Sequence, residues 1–294
     1  MTRYAPTSLH TMWTDMTFRG KTAWVTGASS GLGEALAKEL AAQGAAVILS
    51  GRRVDELNRV AQEIEGDTLV LPFGATDYEA LPAVVESAWA WRAGVDLLIN
   101  NAGVGQRGLA LETQFDVYRR VMEIDFFAPL RLTQLVLPAM VERRSGRIAV
   151  VSSVAGKVGA PLRSGYSAAK HACLGYFDAL RAEVEDAYGV GVSVIIPGTI
   201  ATAIGANALR ANGSVSGRSD PMVEGAFTPD AAASAIVEQL AAGKREIWLA
   251  QGAELGALKL RAADPETLFK LAAQQGAQLA AASDLKRAQV ESVS

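Results

Sequence analysis

The stretch TAWVTGASSGLGEALAKELAAQG, residues 22–44, decides the fold. It opens on a short apolar run, passes through Gly27, Gly31 and Gly33, and then repeats leucine at positions 32, 36 and 40. An apolar run ending in a glycine turn reads as a strand. Leucines four apart share one face of a helix, and Gly44 can close it. The three glycines let the chain turn sharply and bring its backbone close to a phosphate. The start of the following helix would aim unpaired N–H groups at that anion. Gly27, Ser29, Ser30, Gly31, Leu32 and Gly33 are therefore candidate binding residues. Their spacing is G-x-x-x-G-x-G rather than G-x-G-x-x-G, so the loop's position between strand and helix carries the reading.

Outward from this unit the same alternation continues. Residues 45–51 (AAVILSG), 67–74 (DTLVLPFG), 95–103 (VDLLINNAG), 146–153 (GRIAVVSS), 191–198 (GVSVIIPG) and 245–250 (REIWLA) read as strands. Between them lie helical stretches at 54–66, 77–94, about 115–142, about 164–188 and about 228–242. The strands are continuous apolar runs, which marks strands covered on both faces, as in a parallel sheet. The expectation is a single doubly wound α/β domain over about residues 19–250, helices on both faces. Residues 1–18 read as a flexible arm in which Met16 could be an alternative start. Residues 199–227 are rich in glycine and serine and read as a lid loop. Residues 251–294 read as an alanine-rich helical extension with a frayed end.

The chain has 294 residues, 50% hydrophobic and 20% charged, with a formal net charge of −3. No basic cluster suggests nucleic acid. No uninterrupted apolar run reaches bilayer length, and the N-terminus lacks the apolar centre of a signal peptide. The lone cysteine, Cys173, can form no intrachain disulfide, which fits a reducing, cytoplasmic setting. It reads as a small core residue. No His, Cys, Asp or Glu grouping has metal-ligand spacing, so no metal is expected.

Two further stretches carry chemistry. After the second strand come Arg52 and Arg53, with no carboxylate to repel a phosphate. A guanidinium can grip a phosphate with two bonds. Tyr166 and Lys170 stand four apart, one helical turn above the other. An ammonium beside a phenol favours the phenolate, which makes a proton donor for near-neutral pH. His171 would point about 100° away from Lys170 on that helix and reads as packing.

Taken together, TGASSGLG (26–33), NNAG (100–103), VSSVAG with Ser153, YSAAK (166–170) and PGTIAT (197–202) resemble the short-chain dehydrogenase/reductase family. The order and spacing match over about residues 19–250. The stretch from Tyr166 to Glu185 further resembles the branch containing dehydrogenase/reductase family member seven. The resemblance implies a Rossmann-type domain with a parallel sheet of about seven strands. It implies that Tyr166 is the general acid or base, that Lys170 assists it and holds the nicotinamide ribose, and that Ser153 bonds the substrate oxygen. Asn101, Ala102 and Gly103 would lie against the cofactor. Pro197, Gly198, Ile200 and Thr202 would meet its nicotinamide side. It also implies a homodimer or homotetramer packed through the two long helices.

The chain departs from the family pattern twice. Asp125, in IDFFAP, stands where an asparagine is usual; its expected role is through its backbone carbonyl, in a proton relay to Lys170. Gly74 stands where an aspartate usually touches adenine, leaving that contact to backbone near Gly74 and Ala75. The resulting expectation is an NADP-dependent oxidoreductase interconverting a secondary alcohol and a ketone, on a lipophilic small molecule. Two alternatives are an NAD-linked dehydrogenase of the same fold and a catalytically weak cofactor-binding scaffold.

Overall fold

The computed structural model describes residues 17–218 and 226–291, with side chains through residue 284. The bulk of the expected arm (1–16), part of the expected lid (219–225) and residues 292–294 lie outside the described residues. Phe18, at the end of that arm, is 1% exposed and packs in the core.

The elements follow the expected alternation. Strand β1 is Thr22–Thr26, helix α1 Gly31–Ala42, β2 Ala46–Ser50, α2 Val54–Glu63, β3 Thr68–Val70, α3 Leu81–Ala90 and β4 Leu97–Asn100. A short β5 (Gln106–Arg107) precedes a long helix made of α4 (Phe115–Met122), a π-helical turn (Glu123–Phe127) and α5 (Ala128–Glu142). Then come β6 (Gly146–Val151), a 3-10 turn (Val154–Gly156), α6 (Ser164–Tyr188), β7 (Val190–Pro197), β8 (Leu209–Arg210), α7 (Pro229–Ala241) and β9 (Glu246–Leu249). Helices α8 (Gly252–Ala263) and α9 (Pro265–Glu291) end the described chain.

Seven strands form one parallel sheet in the order β3-β2-β1-β4-β6-β7-β9. Strands β1, β2, β4, β6 and β7 are buried along their whole length, because helices cover both faces. That two-sided cover is why they read as continuous apolar runs. Leu32, Leu36 and Leu40 of α1 are buried in the core on one face, as their spacing predicts. Trp24, inside β1, sits in the core on the other face, and its indole N–H donates to Ser50 Oγ at 2.8 Å. The chain order reverses between β1 and β4. Loops leaving the carboxyl ends of those two strands diverge and open a crevice.

Three local readings change. The third strand is only Thr68–Val70, although the chain stays beside β2: the Leu71 and Phe73 N–H groups still donate to the Leu49 and Gly51 carbonyls at 3.0 and 3.1 Å. The third helix begins at Leu81, with Pro82 in its first turn, rather than at Asp77. The described part of the 199–227 segment is not structureless: Leu209, 1% exposed, belongs to β8, which pairs with β5. Among the described residues one helix, Phe115–Glu142, is long and apolar enough by length and composition to cross a bilayer. Its first half carries Asp116, Arg119, Arg120, Glu123 and Asp125, so it holds no uninterrupted apolar run. In this fold its Val117, Val121, Leu132, Val136 and Met140 are buried in the body of the domain.

Candidate active site

A cleft of about 590 Å³ runs across the carboxyl ends of β1, β2, β4, β6 and β7. At its centre the glycine-rich loop meets helix α1. Gly27 and Gly31 have φ of +68° and +60°, the left-handed region that glycine adopts without strain. A Cβ on Gly33 would collide with the Gly27 carbonyl and with Asn101 Nδ2, so only glycine permits this approach of helix to loop. Ser30 precedes the helix, but its side chain makes no cap bond. The first-turn amides therefore remain for an anion. Thr26 ties the neighbouring loop down: its Oγ1 accepts the N–H groups of Asn101 at 2.9 Å and Ala102 at 3.0 Å. Asn101 lines the cleft. Its Nδ2 donates to the Thr26 carbonyl at 2.9 Å, so the side chain shapes the crevice wall.

Arg52, Arg53, Gly74 and Ala75 line one end of the cleft, with Phe73 and Thr76 beside them. The two arginines differ. Arg53 Nη2 donates to Ser29 Oγ at 3.0 Å and to Ser30 Oγ at 2.6 Å, folding over the glycine loop. Arg52 is exposed at the rim.

Ser153, Tyr166 and Lys170 line the cleft near its other end. The fold brings them together because β6 delivers Ser153 beside the first turns of α6. Ser153 Oγ accepts the Ala155 N–H at 3.1 Å, which leaves its own proton free to donate into the cleft. Ser152 Oγ donates to the Lys170 carbonyl at 3.0 Å and locks the two elements. Tyr166 is 9% exposed and Lys170 4%. Lys170 Nζ sits 5.6 Å from the Tyr166 ring centroid and donates to the Val151 carbonyl at 3.0 Å.

Asp125 does not line the cleft; it lies behind it, 1% exposed, on the π-helical turn. Its Oδ2 pairs with Lys170 Nζ at 3.6 Å, and its Oδ1 accepts the Val104 N–H at 2.7 Å. The carbonyl accepts the Cys173 thiol at 3.1 Å, and it is the carboxylate that faces the lysine. Burial works against the Lys170 charge, but Asp125 and then Tyr166 outweigh it and hold the ammonium above the ordinary lysine range. Burial pushes the Asp125 carboxyl up, opposed by Lys170 and the Val104 N–H. Cys173 is a buried core residue whose thiol burial pushes up to about 11. His171 is exposed, and its Nδ1 engages the Ser167 carbonyl at 2.8 Å on its own helix.

Pro197, Gly198, Ile200 and Thr202 line the same end of the cleft. No motif in the sequence signals that Glu254, from α8, joins them. Its carboxylate accepts the Thr199 N–H at 2.9 Å and the Thr199 hydroxyl at 2.8 Å. Gln106, Arg107, Arg120, Ile124, Arg163 and Leu209 also line the cleft without having been singled out. They come from short β5, α4, the π-helical turn, the residue before α6 and β8, and no motif marks them. Among the described residues no group of three or more His, Cys, Asp or Glu side chains could hold a metal.

These residues fit a dinucleotide. The loop is stripped of side chains where a pyrophosphate would lie; a Cβ on Gly31 would come within 3.1 Å of Thr202. Cations stand at one end and a phenol–ammonium pair at the other. The family model described as short chain dehydrogenase matches residues 21–213. A dehydrogenase/reductase SDR family protein 7-like from Anopheles gambiae is 39% identical over 258 residues, covering 85% of this chain and 81% of its own. A Burkholderia phymatum short chain dehydrogenase/reductase in complex with NAD shares the fold, with a TM-score of 0.76 at 24% identity, covering 86% of this chain and 96% of its own. A Burkholderia cenocepacia short chain dehydrogenase in complex with NADP is 26% identical with a TM-score of 0.72, covering 86% of this chain and 97% of its own. The chain is thus an oxidoreductase that belongs to the short-chain dehydrogenase/reductase family.

Proposed function

We propose that this chain uses NADP to interconvert a secondary alcohol and a ketone on a lipophilic small molecule, with Tyr166 moving the proton. The observation that carries the reading is the pairing of Tyr166 with Lys170 in a cleft whose far end presents Arg52 and Arg53. Among the described residues lining that cleft, the one carboxylate is Glu254, at the opposite end from the arginines. Nothing acidic there opposes a 2′-phosphate, and Arg52 supplies the cation. The NADP-bound relative supports this, whereas the NAD-bound one keeps the alternative in view.

When bound, the dinucleotide supplies or accepts the hydride. The protein's own groups do the rest. Ser153 donates a hydrogen bond from its hydroxyl to the substrate oxygen and fixes its position. Tyr166 gives a proton to that oxygen in reduction and takes one in oxidation. Lys170, kept cationic by Asp125, favours the ionised phenol that forms as the proton leaves. Ile124, Ile204, Leu209 and Val215 give the cleft apolar walls, which supports a lipophilic substrate, while Gln106, Arg107, Arg120 and Arg163 add polar groups beside them.

The test is turnover with NADPH and with NADH on hydroxysteroids, retinoids, aryl ketones and quinones. Carbonyl reduction linked to NADPH is expected. A preference for NADH would support the NAD-linked alternative. Tight cofactor binding with no turnover across the panel would support the scaffold reading.

A further inference from the structure

Helix α8 lies outside the alternating core, and Leu258 is its one buried residue. Glu254, in its first turn, nevertheless points back to the cleft and grips a single residue with both oxygens. One takes the Thr199 amide, the other the Thr199 hydroxyl. Gly198 makes this approach possible, because a Cβ there would collide with Glu254 Oε2. The rest of the segment is held equally closely. The Gly198 N–H donates to the Leu249 carbonyl at 2.7 Å, and the Phe227 N–H donates to the Thr199 carbonyl at 3.2 Å. Thr202, three residues on, stands against Gly31 of the phosphate loop. A displacement at Thr199 is therefore carried to the seam between the two halves of the cleft.

We propose that Glu254 is a positioning residue for the nicotinamide half of the cofactor: helix α8 clamps Thr199 and thereby sets the Gly198–Thr202 segment that receives it. A carboxylate accepting from an amide and a hydroxyl holds more firmly than a neutral acceptor would. The proposal rests on the reading of the cleft as a dinucleotide site, but not on the choice between NADP and NAD. It gives the region beyond β9 a direct part in the site.

The experiment compares whole cofactor with a fragment that lacks nicotinamide. Dissociation constants are measured by titration for NADPH and 2′-phospho-ADP-ribose, and for NADH and ADP-ribose, on wild type, E254Q, E254A and T199V. For whichever pair binds wild type, E254A should weaken the whole cofactor about tenfold and leave the fragment within about twofold. E254Q keeps one acceptor and should fall between. T199V loses only the hydroxyl, and in the double variant E254A/T199V its effect should not add to that of E254A, because both changes break the same hydroxyl–carboxylate bond. Fragment binding shows that each variant is folded. Equal weakening of cofactor and fragment, or no weakening of either, overturns the positioning role. If wild type binds neither member of either pair, the dinucleotide reading itself fails and this proposal falls with it.

Discussion

Replacing Asp125 with asparagine changes the charge beneath the active site while nearly preserving its shape. Two opposing terms set the outcome. At 3.6 Å and an effective dielectric of about 20, the Asp125–Lys170 attraction is roughly 5 kcal/mol. Against it stands the burial of a carboxylate that is 1% exposed and whose Oδ2 has no hydrogen-bond partner. Such desolvation costs several kcal/mol per ion and commonly cancels the attraction. In D125N the side-chain amide oxygen would still accept the Val104 N–H. The expected net change at neutral pH is small, with Tm within about 5 °C of wild type. The pH dependence gives the sign. Burial raises the folded Asp125 carboxyl above its unfolded value. Between those two values the unfolded chain ionises first, so wild-type stability falls relative to D125N as pH rises, by at most about 1.4 kcal/mol per pH unit. Below the ordinary aspartate range both states of wild type are protonated there and the difference is constant. Thermal melts of both proteins from pH 4 to 7 should show Tm of D125N gaining on wild type. The opposite slope, or a loss above about 10 °C at pH 7, would refute the balance drawn here.

Two further substitutions separate the parts of the cofactor cleft. Arg52→Ala should weaken NADPH by about 1.5–3 kcal/mol, roughly 10- to 150-fold, and leave NADH nearly unchanged. Equal weakening of both, read by titration, would remove Arg52 from the 2′-phosphate. Gly33→Ala places a Cβ against the Gly27 carbonyl and Asn101, and relieving that overlap costs about 1–3 kcal/mol. Both cofactors should weaken together, on the order of tenfold; unchanged affinity would mean that the loop tolerates a side chain there.

The order of strands and helices was legible because each central strand is buried on both faces and each helix carries one apolar face. The glycine loop was legible for the same local reason: strand, turn and helix are contiguous. Ser153, Tyr166 and Lys170 were found through short motifs on β6 and α6. Contacts between distant segments were not. Glu254 meets Thr199 across 55 residues, and nothing near position 254 marks it. The Asp125 substitution was visible, but a helix reading could not say whether its carbonyl or its carboxylate faces Lys170. Asn101 was visible as an amide at a strand end, yet its use of the Thr26 carbonyl depends on β1 and β4 lying side by side. Residues 199–218 read as loop because their β8 pairing is two residues long and leaves no period to detect.

The central claim is that Tyr166 moves the proton, and Tyr166→Phe tests it most directly. The change removes one oxygen from a side chain that is 9% exposed, and the ring remains to pack beside Lys170 at 5.6 Å. Cofactor affinity, measured by titration, should stay within a few-fold of wild type. On the best substrate from the panel, kcat should fall by at least the ~10²–10⁴ that an acid–base group supplies. A Tyr166→Phe enzyme that binds cofactor normally and keeps near wild-type kcat would contradict the account.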